Sequence, residues 1–323
     1  MAHRPIPVSS TERDTNSAVL NPSRTSGSLP PLPSGGTIGR LLRLWFGLAS
    51  RVAPRLAERQ AAALFLTPKR RRPRDPVVEG LPARELVLHA AGHQIACWSW
   101  GAGPTVLLVH GWSGRAADMA PMAGRLAHAG FRAVAIDMPA HGRSPGRRTS
   151  LAEWMRVLPE VARQITPDTT EPLHALVAHS FGAPAVALAL EAGLSVRGAV
   201  LLAPARGPAL FLNRMRRFIG LPDARATGLE RQLVERVGRE LAFFDAARAA
   251  AVVNVPALIL HDPADAEVDW THAEAIARAW QGSRLVAAVG DGHYDILRST
   301  QAADALVEFV TALPRADSSC ARR

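Results

Sequence analysis

From about residue 79 onward the chain alternates two textures, and this alternation constrains the fold more than any other feature of the sequence. Short runs of continuous apolar character, VLLVH (106-110), RAVAID (132-137), LHALVAH (173-179), GAVLLA (198-203), PALILH (256-261) and RLVAAV (284-289), are separated by helical patterns around 116-129, 151-164, 182-192, 271-281 and 299-313. A strand with one wet face alternates apolar and polar side chains, whereas a strand buried on both faces is apolar throughout. Buried strands joined through helices pair in parallel by right-handed crossovers, so the pattern predicts an α/β fold with a mostly parallel central sheet flanked by helices. ELVLHA and HQIACWSW flank Ala91-Gly92 and predict an antiparallel hairpin ahead of it. The rhythm breaks at about 204-250, which holds no strand pattern and predicts two or three helices inserted after a strand as a small cap.

The flanks read differently. Residues 1-36 are rich in Ser, Thr, Pro and Gly, with too few large apolar groups to offset the entropy of ordering them, and are expected to be a disordered tail, as is 316-323. Residues 37-78 form a basic extension and linker before the domain at 79-315. Apolar residues recur at Leu41, Trp45, Leu48 and Val52 with a helical period, and Pro54 divides the stretch into two short helices. Two readings stay open for 38-74, which ends in KRRRPR: helices packed on the domain, or a peripheral contact with an anionic membrane.

The charge sits in this flank. Residues 1-75 carry thirteen basic against four acidic side chains, and the other 248 residues twenty-five against twenty-four. The formal charge of +10 therefore says nothing about the substrate of the nearly neutral domain, and no fold signature of a nucleic-acid reader accompanies it. Cys97 and Cys320 form no metal or disulfide spacing, and no apolar segment lies close behind a basic start as a secretory signal requires. A reducing, cytoplasmic setting is expected, with or without peripheral attachment to a membrane.

Between the strand LHALVAH and the helix GAPAVALALEAG stands VAHSFGAP, at 177-184. A nucleophile raised on a tight strand-to-helix turn needs small residues two before and two after it, because the backbone crosses itself there. Gly182 meets the demand at +2, and Ala178 adds one methyl at −2. Ser180 needs a base and an orienting acid after it in sequence. Of eleven histidines, His293 alone occupies a loop between the last strand pattern and the final helix. HDPADAEVDW (261-270) offers Asp262, Asp265 and Asp269 as acids, with turn or helix-capping roles open to Asp262 and Asp269.

These motifs, with HGWSG at 110-114 and DMPAHGRS at 137-144, resemble the α/β-hydrolase superfamily of bacterial esterase and lipase type from about residue 84 to 313. DMPAHGRS is similar to the family's D-x-x-G-x-G-x-S loop, with Ala140 departing from glycine. The resemblance implies an α/β-hydrolase fold, a triad of Ser180, Asp265 and His293, and an oxyanion hole from the backbone N-H groups of Trp112, in HGWSG, and Phe181. It implies a serine hydrolase that cleaves a small-molecule carboxylic ester through an acyl-enzyme, with no metal or organic cofactor and no nucleic-acid partner. A peptidase or acyltransferase on the same triad, and a non-catalytic binding protein of the same fold, are the alternatives. The segment 204-250, with Phe211, Met215, Phe218 and Phe244 beside Arg206, Arg214, Arg216 and Arg217, either packs on the domain or lines a pocket for an apolar acyl chain.

Overall fold

The computed structural model of the chain describes residues 36-166 and 172-314. Apart from Gly36, the two terminal tails expected to be disordered lie outside the described residues. The extension forms α1 (Gly36–Val52) and α2 (Pro54–Phe65). Pro54 opens α2, where a missing N-H is one the helix could not bond in any case.

The hairpin strands β1 (Arg84–Ala90) and β2 (His93–Trp100) come next, followed by β3 (Thr105–Val109), α3 (Ala116–His128), β4 (Arg132–Ile136), α4 (Leu151–Ile165), β5 (Ala175–His179), α5 (Gly182–Glu191) and β6 (Ala199–Leu202). After β6 the chain leaves the sheet for α6 (Ala209–Ile219), α7 (Ala226–Val237) and α8 (Ala246–Ala250). It returns with β7 (Ala257–His261), α9 (Thr271–Ala279), β8 (Ser283–Ala287), the single turn α10 (Gly292–Asp295) and α11 (Thr300–Ala312).

The eight strands lie in the order β1-β2-β4-β3-β5-β6-β7-β8. β2 pairs antiparallel with β1 and β4, and every pair from β4 to β8 is parallel. β3, β5, β6 and β7 are buried on both faces, which is why they are apolar without alternation. One core fills the side of α4, α5, α8 and α9, and a second fills the side of α3 and α11. β3 is followed in space by β4 on one side and β5 on the other. This reversal opens a crevice at the carboxyl ends of β3 and β5, where HGWSG and VAHSFGAP both begin.

A third apolar cluster joins the extension to the inserted helices: Phe46, Ala57, Ala61, Ala62 and Leu66 pack with Leu212, Ile219, Leu229 and Leu233. Gly228 on α7 lets the two elements meet, since a Cβ there would stand 2.2 Å from the Glu58 carboxyl group. Glu58 is buried at this contact, with Arg225 at 3.8 Å and Arg231 at 3.9 Å. No helix among the described residues is long and apolar enough to cross a membrane.

Candidate active site

Ser180 stands at the tip of the turn from β5 to α5 with φ of 52°, a left-handed conformation that costs a non-glycine residue roughly 1–2 kcal/mol. Its own backbone supports the strain. The Ser180 N-H donates to Leu202 O at 2.9 Å, and its carbonyl accepts from Ala183 and Ala205 at 3.1 Å each. A Cβ on Gly182 would lie 2.9 Å from His110 O and 3.0 Å from Val109 O, so the +2 position requires glycine. Ala178, fully buried and in register with Val109, fits its methyl at −2 without such a conflict.

His293 lies in α10, beyond the end of β8, and joins Ser180 to Asp265. Its Nε2 is 2.9 Å from Ser180 Oγ and its Nδ1 2.7 Å from Asp265 Oδ2. All three residues are buried. The other oxygen of Asp265 accepts from the amides of Glu267 at 2.7 Å and Val268 at 3.0 Å. Burial pushes the Asp265 carboxyl up, but hydrogen bonds from His261 and His293 outweigh it and hold the group well below the usual carboxylate range. Asp262 makes no hydrogen bond to the His293 ring among the described residues. It caps its own turn at the Ala264 amide and accepts from the Gly292 amide at 2.7 Å, which anchors the loop that carries His293. Asp269 is engaged locally with Thr271.

Three neutral histidines form the scaffold around this line. Burial, above all, pushes His179 down to about 3 and His141 to about 4, and His110 well below its ordinary value. His179 Nε2 lies 2.8 Å from the His293 carbonyl, which accepts its proton and fixes the backbone of α10. His110 Nδ1 donates to Gly111 O while its Nε2 accepts from the Met138 amide at 3.0 Å; His141 Nε2 accepts from the Ser113 amide at 2.9 Å. HGWSG and DMPAHGRS are thereby tied to each other. Asp137 strengthens the tie by accepting from the amides of Ala116 at 2.6 Å and Arg143 at 2.7 Å. Ala140, at the position where the family pattern has glycine, keeps the left-handed backbone that glycine would supply, with φ of 63°.

The Trp112 and Phe181 amides flank the serine, one in the loop after β3 and one at the start of α5. Neither donates to a protein acceptor among the described residues. Gly111 brings the first loop close, since a Cβ there would lie 3.0 Å from Ser180 Cβ. The indole of Trp112 packs against Phe181 at 5.2 Å and Trp154 at 6.0 Å.

A cleft of about 470 Å³ exposes Ser180 and His293. Beside it lies an apolar cavity of about 370 Å³. Trp112, Ser113 and Phe211 line both. The cavity's other walls come from the insertion (Met215, Phe218, Leu233, Phe244) and from the extension (Leu42, Leu64, Phe65). The segment 204-250 both packs and lines a cavity: Leu212 and Ile219 belong to the core while their neighbours face the cavity. The arginines there are largely paired, Arg206 with Asp245, Arg214 with Glu267 and Arg216 with Asp223.

Two residues of the site are absent from the motif reading. His261 ends β7 and is fully buried; its Nε2 lies 2.9 Å from Val268 O and 3.3 Å from Asp265 Oδ2. The signal was the four-residue spacing of His261 and Asp265 across a strand end. Lys69 donates its backbone N-H to Ser113 Oγ at 2.9 Å and so ties the basic linker to HGWSG; no sequence pattern marks such a bond.

Residues 102–236 match the model of a family described as serine aminopeptidase, S33. No curated protein matches the sequence. Solved structures share the fold at low identity. An esterase, RhEst1, from Rhodococcus sp. ECU1013 is 19% identical with a TM-score of 0.54, the alignment covering 72% of this chain and 99% of that one. The Pyrococcus furiosus esterase Pf2001 is 16% identical with a TM-score of 0.56, covering 75% of this chain and 99% of its own. A serine hydrolase involved in carbazole degradation is 17% identical with a TM-score of 0.55, over 71% of this chain and 99% of that one. By its sheet order, its serine turn and these matches, the chain has the α/β-hydrolase fold.

Proposed function

We propose that the chain is a serine hydrolase that cleaves carboxylic esters of apolar acids through an acyl-enzyme on Ser180, with His293 as base and Asp265 as its orienting acid. The observation that carries this reading is the unbroken line from Ser180 Oγ to His293 to Asp265, at 2.9 and 2.7 Å. A carboxylate held ionised at Nδ1 keeps that nitrogen protonated and leaves Nε2 free to accept the serine proton. Oγ then attacks the ester carbonyl, and the carbonyl oxygen takes up negative charge. The amides of Trp112 and Phe181 are the donors for this oxygen, each worth roughly 2.7–4 kcal/mol of transition-state stabilisation, and the dipole of α5 points the same way. His293 passes the proton to the leaving alcohol. It next takes a proton from water, whose oxygen attacks the acyl carbon, and Ser180 regains its hydrogen.

The acid is read as apolar because the cavity beside Trp112 and Phe181 is walled by Leu, Met and Phe side chains. The family description favours a second reading, cleavage of an aminoacyl amide.

Fluorophosphonate labelling with peptide mapping tests the triad. Label is expected on Ser180 and is expected to vanish in Ser180→Ala and His293→Ala; label elsewhere, or undiminished label in the histidine variant, overturns it. p-Nitrophenyl esters from acetate to dodecanoate test the substrate, with kcat/KM expected to rise beyond the shortest acyl groups. A sharp preference for acetate removes the apolar acid, and turnover of aminoacyl amides without turnover of esters moves the activity to the peptidase reading.

A further inference from the structure

The helix α1 carries two apolar faces. One is buried: Gly39, Phe46 and Ser50 face the protein, and a Cβ on Gly39 would touch the Phe218 ring on α6 at 3.4 Å. The other stands in solvent. Ile38 is 75% exposed, Leu44 71%, Leu48 64% and Val52 76%, and Leu41 and Trp45 lie among them. At 3.6 residues per turn these six form one continuous strip along the helix, and Arg40 and Arg51 project along one of its margins. Scattered exposed leucines are ordinary on a protein surface; six large apolar residues in one helical strip are not.

We propose that this strip docks on an anionic lipid bilayer, with α1 lying in the plane of the interface. Three observations choose lipid as the occupant. The helix has seventeen residues, about 25 Å, and carries arginines, so it suits the boundary between headgroups and acyl chains and not a crossing. Trp45 sits within the strip, and an indole favours that boundary. Residues 36-75 hold ten basic and two acidic side chains, and Arg40, Arg51, Arg55 and Arg59 make no ion pair among the described residues. A second copy of the chain fits this face poorly, because a twofold contact would bring each arginine-flanked strip against another of the same charge. A nucleic acid would use the arginines and leave the strip in water.

The same helix meets the apolar cavity, through Leu42. A helix is about 10 Å across, so docking sets the bilayer one helix width from the cavity. Resting on the ester reading, this arrangement makes the substrate an acyl ester held in the membrane, drawn past α1 to Ser180.

Sedimentation of the full chain with vesicles of phosphatidylcholine, with and without phosphatidylglycerol, tests the docking. The protein is expected to pellet with the anionic vesicles. Leu41→Gln combined with Leu48→Gln is expected to lower that partition roughly tenfold or more, as loss of two exposed apolar side chains at an interface should. Arg40→Gln combined with Arg51→Gln should remove most of the preference for phosphatidylglycerol, and every variant should hydrolyse a short soluble ester as the wild type does. Protein that stays in the supernatant with both vesicles overturns the proposal. So does equal binding by the leucine variant, or a wild-type dimer in light scattering that the leucine variant dissolves without any vesicle binding. Ser180→Ala is expected to bind vesicles normally, so failure of the ester reading leaves the docking result standing.

Discussion

His261 and His293 approach the same oxygen, Oδ2 of Asp265, at 3.3 and 2.7 Å. His261 Nε2 faces that oxygen and Val268 O, both acceptors, so Nε2 carries a proton, and Nδ1 is buried without a hydrogen-bond partner among the described residues. His261 is a positioning residue: its hydrogen bond takes up part of the negative charge that Asp265 presents to His293. His261→Leu should lower kcat/KM by about 10–100-fold, the worth of one hydrogen bond to a buried charge. It should also move the acid limb of the pH profile upward, because an undiminished Asp265 charge favours the His293 imidazolium. His261→Gln, which can return an N-H to the same place, should restore both; a profile that never moves would reduce His261 to packing.

The two carboxylates of the HDPAD segment separate by function. Asp265→Asn presents an amide to His293 Nδ1 and selects the wrong tautomer, so kcat should fall by about 10⁴ with the fold intact. Asp262→Asn weakens only the tie to the Gly292 amide, and about tenfold in kcat is expected. Steady-state kinetics on the two variants checks the order; a larger effect from Asp262 reverses the assignment.

Gly182→Ala should destabilise the protein by about 1–3 kcal/mol, since the new methyl meets backbone carbonyls of β3 and its loop and not a side chain able to move. Gly47→Ala gives the contrast. It lies inside α1, no atom of the described residues outside its own helix backbone and chain neighbours stands within 4 Å of its Cβ position, and helix propensity alone should raise stability by up to about 1 kcal/mol. Denaturant unfolding of the pair measures both signs.

Asp137 and Asp265 should move stability in opposite directions with pH. Burial raises Asp137 from 3.8 to about 6 against the hydrogen bonds from Ala116 and Arg143. A folded pKa above the unfolded one gives stability that is full below about pH 4 and lost as pH rises through about 6. Asp265 is depressed, so its contribution is present above about pH 4 and lost as pH falls further. Unfolding midpoints across this range should show wild type losing ground to Asp137→Asn as pH rises, and to Asp265→Asn as pH falls below 4.

Local pattern carried most of the fold into the sequence. Buried strands are apolar on both faces, so β3 to β7 announce themselves, and the break of period after β6 marks the inserted helices. Strand order is set by packing between distant segments, and no run of residues spells out that β4 lies outside β3. The same limit governs the site. Ser180, Asp265 and His293 sit in loops with chemical signatures, whereas His261 looks like the last residue of a strand until Asp265 folds over it. The cavity is half legible: the phenylalanines of 204-250 point to an apolar wall, while Leu42 and Leu64 come from helices whose partners periodicity cannot name.

Those partners also fix the order in which the molecule can be built. The side chains that pack with Phe46, Ala57 and Ala61 include Leu212, Leu229 and Leu233, about 170 residues further along the chain. At ribosomal rates of roughly 5–20 residues per second, α1 and α2 wait on the order of ten seconds or longer before anything can bury them. Through that interval both faces of α1 are open to water, which makes this segment the natural target for a chaperone during synthesis and the first place where a premature stop would leave the nascent chain prone to aggregate.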